Sequence, residues 1–140
     1  MSSITLNATT RTSIFSNRLH LGALMVVLTV MGCGAPVTRS LATEEGVASY
    51  YGSEFHGRRT SNGESFDKNG MTAAHRTLPF NSILRVTNLS NGKNVEVRVN
   101  DRGPVKPERI IDLTYAAAKE IDMVRAGLVR VRVEVLEWGN

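Results

Sequence analysis

Apolar and polar residues alternate with a period of two along several short stretches of this chain. In Asn94–Asn100, Val95, Val97 and Val99 fall on one side and Glu96, Arg98 and Asn100 on the other, as in a strand with one face buried. Leu128–Leu136 repeats the pattern, with Val129, Val131, Val133 and Val135 inward and Arg130, Arg132 and Glu134 outward. Gly46–Tyr51, Met71–Ala74, Ile83–Asn88 and Ile110–Leu113 are further short apolar stretches of strand character. Ser90-Asn91-Gly92 between two of them carries the Asn-Gly signal of a hairpin turn. Only one segment has helical spacing: Thr114 is placed to cap a helix running to Ile121 or Met123, with Leu113, Ala117 and Ile121 four apart on one side. Short strands with a single short helix predict a mainly β fold, a small barrel closed on itself so that no sheet edge is left open.

The first residues do not fit that domain. Met1–His20 holds Arg11 and Arg18 and no acidic residue, and Leu21–Met31 is an apolar run. Such a run is too short to span a bilayer, which takes about 20 residues, and its basic-then-apolar layout predicts a secretory signal over residues 1–32. Cys33 is the sole cysteine, so an intrachain disulfide is excluded. Val30-Met31-Gly32-Cys33 resembles the bacterial lipobox, which implies a lipidated N-terminus at Cys33 and a membrane anchor made of acyl chains. Gly34 rather than Asp follows the cysteine, which by the same resemblance directs the protein to the periplasmic face of an outer membrane. Residues 33–45 then form a polar tether and residues 46–136 the barrel domain.

Charge changes the picture once the leader is set aside. All thirteen acidic residues and fifteen of the seventeen basic ones follow it, a net charge of +2. A surface so nearly balanced, in a chain with 6% aromatic residues, argues against nucleic acid as a partner. Neither an H-x-x-x-H nor a paired-cysteine spacing is present, so the sequence predicts no metal site and no cofactor. Oligomeric state is not encoded in any pattern of the chain.

Three segments concentrate polar residues: Phe55–Glu64 within the long Gly52–Gly70 loop, Thr72–His75, and Asn100–Pro104. Asp101 continues the parity of Val95, Val97 and Val99. At a barrel rim it either projects into a cleft, where lost hydration raises a carboxyl pKa and fits it to donate a proton, or it bonds the backbone of its own turn. Glu64 is either a functional carboxylate or a solvated loop residue, and His75 either a site residue or a buried histidine with a satisfied ring. His56, in a Gly/Arg loop, reads as a surface residue.

The same segments, in order and with matching spacing, resemble the rare lipoprotein A family of bacterial lytic transglycosylases. The match is carried by GVASYYG (Gly46–Gly52), FHGRRTSNGESFD (Phe55–Asp67), TAAHRTLPF (Thr72–Phe80), VTNLSNGKNVEVRVNDRGP (Val86–Pro104) and RIIDLTYAAAKEI (Arg109–Ile121). The resemblance implies a six-stranded double-psi β-barrel, as in expansins. It implies cleavage of the bond between N-acetylmuramic acid and N-acetylglucosamine in peptidoglycan strands already stripped of stem peptides, leaving a 1,6-anhydro ring. By the same resemblance the functional residues fall on Asp101, Glu64 and His75. Asp101 then acts as the acid and base, Glu64 stabilises positive charge on the sugar or orients its hydroxyl, and His75 positions a carboxyl or an N-acetyl group. Tyr50, Tyr51, Phe55, Arg58, Arg59 and Asn62 are expected to form the sugar-binding rim. A non-cutting, expansin-like wall-binding protein is the alternative.

Overall fold

The structure is a computed structural model and describes residues 39–140. The expected leader, Cys33 and the first part of the tether lie outside the described residues. Six strands follow one another along the chain: β1 (Ala42–Tyr50), β2 (Thr72–His75), β3 (Ile83–Asn88), β4 (Asn94–Asp101), β5 (Arg109–Leu113) and β6 (Val129–Glu137). Among the described residues one α-helix, α1 (Tyr115–Glu120), stands between the last two, and a single 3-10 turn, Ser53–Phe55, follows β1. The sheet closes in the order β1-β5-β2-β4-β3-β6. β1 runs parallel to β5 and β2 parallel to β4, while the remaining neighbours are antiparallel. Two interlocked parallel pairs in a closed six-stranded barrel make this the double-psi β-barrel expected from the sequence, with its one short helix.

Strand parity builds the core. Val95, Val97 and Val99 of β4, Leu84 and Val86 of β3, and Val131, Val133 and Val135 of β6 are all buried, and they meet Ile111 and Leu113 of β5 inside the barrel. The β3–β4 turn relies on Gly92, whose φ of +75° is open to glycine at little cost. Thr114 caps α1 by accepting from the Ala117 amide at 3.3 Å, and it donates its own hydroxyl to the Gly70 carbonyl at 2.6 Å. Ala117, Ala118, Ile121 and Met123 then close one end of the core.

The first strand starts earlier than the alternation predicts. β1 begins at Ala42, not Gly46, and Ala42–Glu45 pair with β6 from Val135 to Arg132. These four residues are exposed and carry no hydrophobic period. Backbone pairing holds them in place, with an Arg132–Glu45 ion pair at 2.9 Å.

Candidate active site

Four adjacent strands end in one row. Ser49 on β1 pairs with Asp112 on β5, Asp112 pairs with Ala74 on β2, and Ala74 pairs with Asp101 on β4. β4 reaches that row through a register shift: Ala73 faces Val99, but Ala74 faces Asp101, leaving Asn100 as the extra residue. Above the row lies a cleft of about 570 Å³, bordered by Ser49, Tyr51, Phe55, Arg58, Asp101 and Asp112 among others.

The Gly52–Gly70 loop forms one wall of this cleft and is ordered by its own bonds. Phe66 is buried, and its backbone exchanges hydrogen bonds with Gly57 at 2.9 Å and Arg58 at 2.7 Å. The Tyr51 ring packs on Phe66 at 4.7 Å and edge-on to Phe55 at 5.7 Å. The Arg58 guanidinium stands 5.3 Å over the Phe55 ring. Tyr51, Phe55, Arg58 and Arg59 border the same cleft as Asp101. Tyr50 borders it too, but donates its hydroxyl away, to the Val124 carbonyl at 3.1 Å.

Asp101 is a carboxylate with four donors. Oδ2 accepts the Tyr51 hydroxyl at 2.7 Å. Oδ1 accepts the Ser61 amide at 2.9 Å, the Ser61 hydroxyl at 2.6 Å and the Arg102 amide at 2.8 Å. Both readings of this residue are thus partly realised: it faces the cleft, and it also accepts from the next residue of its turn. The expected rise in its pKa is overturned. Burial does push the carboxyl up, but the hydrogen bonds from Ser61, Tyr51 and Arg102 stabilise the charged form more, and the net shift is downward. Tyr51, by contrast, is driven far above its ordinary value by burial and then by the Asp101 charge it serves, so it stays a donor.

Glu64 does not border the cleft. Its carboxylate takes a two-pronged bond from Arg98, at 2.7 and 2.8 Å, with Asn62 Nδ2 at 2.9 Å and Asn100 Nδ2 at 3.1 Å. Arg98 foremost, then the two amides, hold its pKa down at about 2 against the opposing push of burial. Asn62 is likewise turned to Glu64 rather than to the cleft, accepting the Thr60 hydroxyl at 2.6 Å and the Glu64 amide at 3.1 Å. His75 is buried. Its Nδ1 accepts the Thr77 and Leu78 amides at 3.2 and 3.1 Å, which leaves the proton on Nε2, facing Glu44 Oε2 at 3.2 Å. Burial, opposed by Glu44, lowers its pKa and keeps the ring neutral. Glu64 and His75 thus brace the segments on either side of Asp101. The Glu64 network orders the turn that presents Ser61. The His75 carbonyl accepts from Arg102, whose guanidinium stacks on Phe80 at 3.8 Å.

Among the cleft residues that the sequence patterns did not single out, Ser49, Asp112 and Arg109 form a connected network. The Ser49 hydroxyl donates to Asp112 Oδ1 at 2.5 Å, and Arg109 Nη1 donates to Ser49 Oγ at 2.7 Å. The one available signal was an aspartate set in the apolar stretch Ile110-Ile111-Asp112-Leu113. Among the described residues no group of three His, Cys, Asp or Glu side chains is arranged as metal ligands.

Residues 43–133 match the family described as lytic transglycolase. Over 98 residues, 70% of this chain, the sequence is 56% identical to the endolytic peptidoglycan transglycosylase RlpA of Campylobacter jejuni. Over 94 residues, 67% of this chain, it is 60% identical to the RlpA of Vibrio cholerae. The chain spans about a third of the length of these curated relatives, 36% of each. The fold is shared with the Streptomyces papain inhibitor, at a TM-score of 0.55 and 21% identity over 68% of this chain and 94% of the inhibitor. It is shared as well with the Clavibacter michiganensis expansin, at a TM-score of 0.55 and 19% identity over 67% of this chain and 50% of the expansin. Matched across nearly the whole barrel, cleft and bracing networks included, this chain belongs to the RlpA family of double-psi β-barrel lytic transglycolases.

Proposed function

We propose that this barrel is an endolytic peptidoglycan lytic transglycosylase. It cuts the bond from N-acetylmuramic acid to N-acetylglucosamine in strands free of stem peptides and leaves a 1,6-anhydro-muramic end. The observation that carries the reading is the placement of Asp101 at the wall of an arginine-flanked cleft, gripped by Tyr51 and Ser61. In a lytic transfer the substrate's own C6 hydroxyl replaces water, so one carboxyl serves twice. Asp101 gives a proton to the glycosidic oxygen as the C1–O bond breaks, then takes the proton of the C6 hydroxyl as O6 bonds to C1. A glycan seated on the cleft strips water from the carboxyl and raises its pKa from the low resting value toward that of a donor. Arg58 and Arg59 add positive charge to the same cleft, suited to the lactyl carboxylate that muramic acid bears once its peptide is gone. Glu64 and His75 act as positioning residues. The Campylobacter jejuni and Vibrio cholerae relatives are named endolytic peptidoglycan transglycosylases, which supports the enzymatic reading.

We further propose that the chain is exported, lipidated at Cys33 and held at the periplasmic face of an outer membrane. The leader and lipobox-like residues support this placement. Palmitate labelling of the wild type and of Cys33→Ala in cells tests it; label retained by the alanine variant rejects it.

The enzymatic reading is tested by incubating the purified chain with sacculi stripped of stem peptides by an amidase and reading new ends by mass spectrometry. Asp101→Asn is expected to cut about 10²–10⁴-fold more slowly while remaining folded. A second reading, wall binding without cleavage, draws on the ionised resting state of Asp101. Sedimentation with sacculi and no anhydro ends would select it.

A further inference from the structure

We infer that Asp112 is a second catalytic carboxylate of the cleft, facing the positive charge that develops at C1 of the muramic acid while Asp101 moves the proton. This rests on the lytic reading above. Sequence resemblance points to Glu64 for the charge-stabilising role, but Glu64 does not border the cleft, and neither do the three residues that make its four hydrogen bonds, Asn62, Arg98 and Asn100. Asp112 does border it, in the same cross-strand row as Asp101. The two aspartates sit on β4 and β5, on either side of β2, so their backbones are about 10 Å apart at the usual strand spacing. Between them in the row stands Ala74, which is fully buried and does not itself border the cleft, whereas both aspartates do.

The surroundings of Asp112 serve a charge more readily than a fold. The side chain is 13% exposed and is flanked in the chain by the fully buried Ile111 and Leu113. An ionised group in such a place is costly unless it is paired and hydrogen-bonded. Oδ1 is held by Ser49 at 2.5 Å, with Arg109 Nη1 at 3.7 Å. Oδ2 has no hydrogen-bond partner among the described residues and is not enclosed, which leaves it available to the cleft. The network is incomplete from within: Arg109 Nε is buried with no partner among the described residues. A purely structural network gains from full satisfaction, and an unsatisfied member calls for another explanation. Ser49 and Arg109 together fix Oδ1, so Oδ2 keeps one direction without reorganising when charge appears.

The step balances with Asp112 as spectator to the proton. The C1–O4 bond breaks, its electron pair leaves with the N-acetylglucosamine oxygen, and that oxygen receives the proton from Asp101. O6 bonds to C1 and its proton returns to Asp101. Asp112 neither gains nor loses an atom; its charge lowers the energy of the oxocarbenium-like transition state between the two events.

The test uses the full chain and soluble, peptide-free glycan strands, with the wild type as reference. Asp112→Asn is expected to lower kcat by about 10²–10³-fold, with strand binding within threefold and the unfolding midpoint little changed. Azide or formate added to Asp112→Ala is expected to restore activity by tenfold or more, since a small anion can occupy the vacated place, and to leave Asp101→Asn unaffected. Asp112→Asn cutting within threefold of the wild type overturns the inference. So does a lost activity that no anion restores and that falls together with binding, the mark of a structural pair with Arg109. If Asp112→Asn does not fold, Ser49→Ala decides: a kcat lowered about tenfold with KM unchanged supports the role, and an unchanged kcat overturns it. A wild type that leaves no anhydro ends overturns the proposed function and this inference with it, whereas an active wild type with an indifferent Asp112 overturns the inference alone.

Discussion

Tyr51 donates a hydrogen bond to one oxygen of Asp101 at 2.7 Å, and Ser61 donates two to the other. Each of these donors favours the charged carboxylate, so removing one lets the pKa rise. If Asp101 must carry a proton to start the cut, kcat/KM falls with rising pH through that pKa in the free protein. Tyr51→Phe is therefore expected to move the basic limb of the pH–rate profile to higher pH, whatever it does to KM through lost contacts in the cleft. A limb that stays in place, measured on peptide-free strands, would assign the essential proton to another group. His75 offers a separate test at the same scale. Its folded pKa lies below the ordinary histidine value of 6.5, so the unfolded chain takes up the proton first as pH falls. The stability it contributes is complete above pH 6.5 and is lost as the pH drops from there through the folded value. Denaturant midpoints measured from pH 7 to pH 5 should fall, and His75→Gln, which keeps an acceptor without the titration, should flatten that slope.

The elements show what a linear pattern can and cannot reveal. The valines of β4 and β6 were legible because a strand with one buried face must alternate, and Val95, Val97, Val99, Val131, Val133 and Val135 are all buried. The cap of α1 at Thr114 was legible because only a hydroxyl or short polar side chain satisfies the free amides of a first turn. Ala42–Glu45 was not, since those residues are placed by the backbone of β6 and not by burial of their own side chains. Asp112 stayed hidden for a related reason. Its partner Ser49 lies across the parallel β1–β5 pairing, and register between distant segments leaves no local mark of that contact. The Glu64 motif was visible, but its partner Arg98 on β4 was not. That pair makes the 60–64 turn a unit whose two ends are joined by the Thr60 amide donating to the Glu64 carbonyl at 2.8 Å, across Gly63 at φ +91°. Glu64→Gln is expected to cost about 1 kcal/mol, a small sum because the carboxylate is partly exposed to solvent. The same change should raise amide exchange at Ser61 and Asn62 and lower kcat/KM more than stability. Unchanged exchange in that turn would mean that Glu64 does not hold it.

Taken whole, the molecule divides its labour around the barrel. The row of Ser49, Asp112, Ala74 and Asp101 uses β1, β5, β2 and β4, while β3 and β6 lie together on the remaining arc and pair with each other along six register positions. Leu84 and Val86 of β3 and Val131 and Val133 of β6 are buried against that arc and do not border the cleft. Close packing makes their loss expensive: Leu84→Ala leaves a cavity and is expected to destabilise the fold by about 2–5 kcal/mol. Bonds that hold Asp101 come from Tyr51, Ser61 and Arg102, all reached from the other arc or its loops. The site's chemistry should therefore be indifferent to a void on the far side, provided the chain is still folded. At a temperature well below its lowered midpoint, Leu84→Ala is expected to keep kcat within about twofold and the basic limb of the pH profile unmoved, because distant sites without shared partners act independently. A shift of that limb in step with lost stability would show that the arcs are coupled, and that the geometry of Asp101 depends on core packing across the barrel as well as on its four donors.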